Sequence, residues 1–352
     1  MSFLSFLFPQ TDPRKNRIKA PDGFRIATQK ELWGSCAPLV AAAASAPKSA
    51  DTLLAYADQV KEAIARGATV PWGTRVAAVS HYWLGDCGEL IGTSAARAYV
   101  APFEEAYRRR PEPYTAVMLA EACFNVADSV RGENWSDATG EASMDLAHSW
   151  NVRGCEALMA QSDAVRVEEG KDCDPQHYPW YAQYYISATR LTRTLDDLNA
   201  AFQQVFVLDK TNLQLLREHG QELLPRWRGE DASTLDEFAR WAVDQTKDIY
   251  ARGAYAYIYG NLANIGELDV GDTLINVDLL NAGYLDLIDR FPCVRLQNEH
   301  ANAMSWANAE HQVLAAFNKG LRAIDYRAWG GDDEREGLQY ALNAYTFARD
   351  NG

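Results

Sequence analysis

A chain that repeats at a fixed spacing must stack its repeats, and between Tyr178 and Thr246 this one repeats. Leu198, Phe202, Val205 and Leu208 recur at the spacing of one helical face, and Asp209-Lys210-x-Asn212 then offers a turn. The next segment opens with Leu216-x2-His219-Gly220-x2-Leu223, and Gly220 takes the slot that Ile186 holds 34 residues earlier. Asp174-Pro175 stands 35 residues before Asp209-Lys210, a second sign of the same period. A period of this length leaves room for two short helices per unit. Neither buries its apolar face alone, so neighbouring units stack into one core. No stretch alternates apolar and polar residues over a strand's length. The expectation is an all-α fold, a helical-repeat array of antiparallel helix hairpins with almost no sheet.

Three regions are expected along the chain: an irregular arm over 1–45, a helical region over 46–110, and the repeat domain over 111–352. The arm carries Pro9, Pro13, Pro21 and Pro38 and a basic stretch from Arg14 to Lys19. Leu53, Ala57, Val60 and Ile64 then form a helical stripe behind the cap residues Ser49 and Asp51, and Gly67 ends it. Further helices are expected over Arg75–Gly85 and Glu89–Arg110, separated by a loop at Gly85–Gly88, with Pro102 kinking or splitting the second. Pro111-Glu-Pro113 marks a boundary. Beyond it, helices are expected through Val117–Ala127 and Glu141–Gln161. Ser233 with Asp236 reads as a capping box ahead of an inward Phe238-Trp241-Ala242 face. Val277, Leu280, Tyr284 and Leu287 align on a helix closed by Phe291-Pro292. Leu296–Ala309, Glu310–Ile324 and a capping helix over Glu336–Arg349 complete the chain.

Charge narrows the partners. Asp plus Glu number 48 against 34 Lys plus Arg, a net charge of −14, which repels nucleic-acid phosphate and anionic membrane. The short cluster Arg108-Arg109-Arg110 reads as a helix end favoured by its dipole. The six cysteines include no C-x-x-C pair, so no zinc knuckle or thioredoxin-type site is encoded, and Cys123 and Cys155 read as core. The apolar run from Met1 to Phe8 is short, lacks preceding basic residues and meets Pro9, a poor secretion signal. No later run reaches the roughly 18 apolar residues of a membrane span. A cytoplasmic location is expected.

Several patterns hint at chemistry. His300 and His311 each follow a glutamate eleven residues apart, and on one continuous helix they would stand about 16 Å apart, too far to share a metal; a break near Ala309 could join them. Asp332-Asp333-x2-Glu336 has the D-D-x-x-E spacing of magnesium-diphosphate sites, but with no second acidic metal motif it reads as a solvated loop whose acids favour the following helix start, as Asp196-Asp197 do. No phosphate-binding glycine loop and no G-x-S-x-G elbow occurs. Two aromatic clusters remain, Tyr178, Trp180, Tyr181, Tyr184 and Tyr185 on one helix and Tyr250, Tyr255, Tyr257 and Tyr259 on another. Five aromatics on consecutive turns cannot all point to one core.

The combination of Phe124-x6-Arg131-Gly132, Asp174-Pro175, the Leu208–Asn212 turn, Leu223-Leu224-Pro225-Arg226-Trp227-x-Gly229 ahead of Phe238-Ala239, Phe291-Pro292 and Trp329-Gly330 resembles bacterial tetratricopeptide-like proteins known only as a domain of unknown function. The likeness covers roughly 111–350. It departs from the pattern at Lys210, where a turn proline is usual, and at Ile186, where a small residue is. The resemblance implies an all-helical repeat fold and brings no catalytic residues with it. In such an array the first helix of each unit lines the concave side, so Trp180, Tyr181, Gln183, Tyr184, Arg190, Arg217 and His219 are expected to share a peptide-binding groove. The expected function is non-catalytic binding of a protein or peptide, with no cofactor, no metal, no nucleic acid and no membrane. Two alternatives stand beside it: a metal-dependent enzyme using His300, His311 and the acidic loops, and an immunity or regulatory factor with an acidic binding surface.

Overall fold

The computed structural model describes residues 23–84, 93–131, 140–168, 171–192, 194–331 and 333–351. The Met1–Phe8 run, the Arg14–Lys19 stretch, the Gly85–Gly88 loop, Gly132 and Asp332 lie outside them. Helix makes up 74% of the structure. In chain order the helices are α1 (Gln29–Trp33), α2 (Ala37–Ser45), α3 (Ala50–Ala65), α4 (Val76–Val79), α5 (Thr93–Arg109), α6 (Pro113–Arg131), α7 (Glu141–Met159), α8 (Tyr178–Leu191), α9 (Leu195–Phe206) and α10 (Leu213–Glu222). After them come α11 (Ala232–Tyr250), α12 (Gly253–Asn264), α13 (Val277–Arg290), α14 (Val294–Trp306), α15 (Glu310–Asn318) and α16 (Glu334–Asn351). Two-residue strands β1 (Arg25–Ile26) and β2 (Ala323–Ile324) pair in parallel. Among the described residues no helix is long and apolar enough to cross a membrane.

The chain divides into two compact units. One gathers Ser35–Val70 and Thr74–Leu215, the other Met1–Gly34, Pro71–Gly73 and Leu216–Gly352. The division falls inside α10, not at Pro111-Glu-Pro113. That proline pair separates α5 from α6, with Pro113 the first residue of α6, where its missing N–H costs nothing. Nor is the arm irregular over its described part: α1 opens on a capping box of Thr28 and Glu31, and α2 follows with Pro38 in its first turn.

In the first unit α6 is the central element, buried from Tyr114 to Phe124 without a polar face and packed on α5, α7 and α8. α7 approaches it at Gly154, where a Cβ would lie 2.7 Å from the Phe124 ring. α3 forms as its stripe requires: Leu53, Ala57, Val60 and Ile64 are buried, Ser49 caps the start, and Gly67 takes a φ of 66° just past the end. Of the helix expected over Arg75–Gly85, the described part to Leu84 is less regular, a single α-turn running into a 3-10 turn over Ser80–Leu84. Pro102 sits inside an unbroken α5. The arginine cluster ends that helix and is paired, Arg108 with Glu105, Arg109 with Asp51 and Arg110 with Asp58.

In the second unit α12 holds the centre, flanked by α11, α13 and α14, and its tyrosines are core. The Tyr255 hydroxyl donates to Asp236 and accepts from the Asn276 amide at 2.9 Å. The cap of α11 is Asp231, which accepts from the Ser233 amide at 2.8 Å, two residues before the expected Ser233 box. Its buried face is Leu235, Ala239, Ala242, Thr246 and Tyr250, while Phe238 and Trp241 lie half-buried, stacked 5.6 Å apart. α15 stops at Asn318, so Leu321 and Ile324 leave the helix and Ile324 enters β2 instead. α12 and α13 meet at Gly283, where a Cβ would lie 2.7 Å from the Arg252 carbonyl oxygen and 2.8 Å from the Ala256 Cβ. Backbone cannot yield there as a flexible side chain would. Gly283→Ala is therefore expected to lower stability by about 1–3 kcal/mol, read from the urea midpoint, despite the better helix propensity of alanine.

Candidate binding surface

α8 begins behind the Asp174-Pro175 turn, whose Asp174 carboxylate accepts from the Gln176 amide at 2.9 Å, and Pro179 sits in its first turn. Two buried side chains set its rotation. The Trp180 indole N–H donates to the Leu158 carbonyl at 2.8 Å, and one turn later Gln183 Nε2 donates to Glu121 Oε2 at 2.9 Å. With Tyr178, Ala182, Tyr185, Ile186 and Ser187 they form the inner face. Outside it lie Thr189 and Arg190 and, spaced three, four and three residues apart on one helical stripe, Tyr181, Tyr184, Ala188 and Leu191. Tyr181, Tyr184 and Ala188 are half-buried, and Leu191 retains 39% of its surface.

The stripe is braced from below. The Tyr184 ring stacks on Trp180 with centroids 5.4 Å apart and planes 6° from parallel. The Tyr181 hydroxyl donates to the Val165 carbonyl at 2.8 Å, which fixes the half-buried ring. Met159, next to the acceptor Leu158, is 50% exposed. Arg190 is committed: its guanidinium makes two hydrogen bonds to Asp128, at 2.7 and 2.8 Å, and lies 4.8 Å over the Phe124 ring.

The expected groove is thus corrected in part. Tyr181 and Tyr184 present surface, but Trp180 and Gln183 are core, with the Trp180 indole N–H and Gln183 Nε2 turned inward to Leu158 and Glu121. Arg217 and His219 belong to the other unit. Arg217 bonds Glu218 at 2.6 Å and Gln221 at 3.1 Å, and His219 is 2% exposed, its ring 5.0 Å from that of Phe238. Ala188, Leu191 and Met159 were not singled out in the sequence, although the spacing of the first two from Tyr184 is itself a signal.

The other chemical patterns resolve individually. His300 on α14 is buried and bonded to Asn281 Oδ1 at 2.8 Å, while His311 is exposed at the start of α15. Among the described residues no group of three or more His, Cys, Asp or Glu side chains is placed to hold a metal ion. Asp333 accepts from the Glu336 amide at 2.8 Å, opening α16, and Thr194 caps α9 ahead of Asp196-Asp197. One cluster was missed although its i,i+4 spacing is readable. Arg295 Nε donates to the buried Glu299 at 2.7 Å, and its guanidinium lies 4.8 Å over Trp72 and 5.7 Å over Trp33. Burial raises the Glu299 carboxyl above its ordinary range, while Arg295 opposes the shift. Truncating either partner would strand the other, a loss of about 3–5 kcal/mol.

Burial also pushes three histidines down, His81 and His219 to about 3 and His300 to about 4. The unfolded chain takes up these protons from about pH 6.5 downward, whereas the folded chain takes them up only near pH 3–4. Their contribution is therefore complete above pH 6.5 and is lost as pH falls toward 4. His219→Gln should flatten the fall in urea midpoint between pH 6 and 5, removing up to about 1.4 kcal/mol per pH unit; an unchanged slope would contradict the assignment.

No family model, no curated protein and no solved structure matches the chain.

Proposed function

We propose that the chain is a non-catalytic binding protein of the tetratricopeptide-like, helical-repeat kind, and that the outer stripe of α8 takes an apolar, basic peptide from a partner protein. The observation that carries this reading is the stripe itself. A helix facing water ordinarily shows polar side chains there, and α8 instead shows Tyr181, Tyr184, Ala188 and Leu191. Rigid rings suit an anchor because they lose little rotamer freedom on binding, and Tyr184 is already held by its stack on Trp180. The basic character of the partner follows from charge, since a chain of net −14 attracts cationic segments and steers their approach.

The test is selection of peptides from a displayed random library against the purified protein, followed by affinity measurement. The recovered sequences should combine apolar positions at helical or alternate spacing with Lys or Arg. Tyr184→Ala and Leu191→Ala should each weaken binding by about tenfold or more, as expected of anchors worth upward of about 1.4 kcal/mol, while Glu334→Ala at the start of α16 leaves it unchanged. Equal affinity for wild type and both α8 variants, with circular dichroism unaltered, would overturn the reading.

A further inference from the structure

The α8 stripe has an acidic neighbour at one end. The Tyr181 hydroxyl ties the start of the stripe to Val165, and residues 163–174, which run on toward α8, carry five acids against two bases. Asp163, Glu168, Asp172 and Asp174 among them are exposed. At the other end stands the exposed Leu191. From Tyr181 to Leu191 the stripe measures about 15 Å at a rise of about 1.5 Å per residue. A peptide that fits this face carries an apolar run of about that length with positive charge to one side of it. The first 22 residues of the chain itself carry both. Phe3, Leu4, Phe6, Leu7 and Phe8 fall within six residues, a run of up to about 20 Å. Arg14, Lys15, Arg17 and Lys19 follow six residues later, in a chain whose net charge is −14.

We infer that the peptide taken by α8 is this segment, residues 1–22, contributed by a second copy of the chain. The inference rests on the reading of α8 as a peptide-binding face and names its peptide. The apolar run covers the stripe, and the basic run meets the acids of 163–174, a pairing of opposite charge that also steers two like-charged bodies into one orientation. The root of the segment is fixed. Phe24 stacks on Phe317 with centroids 5.6 Å apart, meets Tyr345 at 5.7 Å and lies 5.0 Å under the Arg322 guanidinium. Phe8 stands 16 residues before Phe24, a leash of up to about 50 Å, long enough to cross to a neighbouring molecule. Exchanged between two copies, the segments make two identical contacts, and the second forms within an already joined pair. The dimer is therefore tighter than either contact alone.

Carbodiimide cross-linking of an equal mixture of heavy-isotope and unlabelled full chain tests this, because the reagent joins an amine to a carboxylate only where the two touch. Digestion should yield Lys15 or Lys19 joined to an acid of 163–174, and about half of these pairs should be of mixed isotope, as random pairing of two copies requires. Leu7→Asp in the segment and Leu191→Ala on α8 should each lower that yield by about tenfold with circular dichroism unaltered. Leu7→Asp leaves α8 itself unchanged, so a loss there is not a loss of the face. Pairs of like isotope alone would put the segment on its own chain and overturn the exchange. Absence of these pairs, or a yield indifferent to Leu7→Asp, would overturn the inference as well. Should displayed peptides bind α8 while no such pair forms, this inference falls and the peptide-binding reading stands; should neither occur, both fall.

Discussion

The rotation of α8 about its own axis depends on two buried hydrogen bonds, Trp180 to the Leu158 carbonyl and Gln183 to Glu121. A buried indole N–H or amide left unpaired costs about 1–3 kcal/mol, and an unpaired carboxylate costs more. Turning α8 by one residue would break both bonds. The arrangement is therefore over-determined from inside. Its outer consequence is the half-buried apolar stripe of Tyr181, Tyr184 and Ala188, ending at the exposed Leu191.

The other unit is organised by polar residues at its centre as well. Asn298 Nδ2 donates to the carbonyls of Val294 and Ala323, while its Oδ1 accepts from the Trp329 indole at 2.9 Å. One side chain thereby joins α14, β2 and the turn before α16. The adjacent Arg295–Glu299 pair lies on the same helix, with Arg295 sandwiched toward Trp33 and Trp72. Such pairs seldom add net stability over apolar packing, but they penalise any alternative in which either charge is stranded. That explains how the separated segments Met1–Gly34 and Pro71–Gly73 belong with Leu216–Gly352: each brings one of the two tryptophans.

Much of the helical content was readable because apolar spacing is a direct record of burial. The stripe of α3 is buried residue for residue as its spacing requires, and that of α13 is buried at Leu280, Tyr284 and Leu287, with Val277 half-buried at the helix start. The strands were not readable, since two residues are too few to display a period. The cap of α11 was misplaced because Asp231 and Ser233 are both good caps, and only the backbone decides between them. The binding surface was half-legible for a more general reason. The aromatics of α8 surround the helix, so composition does not say which face is inner; buried polar partners do, and Glu121 lies 62 residues from Gln183. His219 and Arg217 were grouped with α8 by their position in a sequence period, a relation along the chain that carries no information on burial.

The orientation of α8 is most directly tested by hydroxyl-radical footprinting of the purified protein, read residue by residue. The structure predicts that Tyr181, Tyr184 and Leu191 are oxidised readily while Trp180 and Tyr185, which react as fast when free, are protected. Protection of Tyr184 together with rapid oxidation of Trp180 or Tyr185 would show that α8 faces the other way, and the binding surface assigned to it would fall.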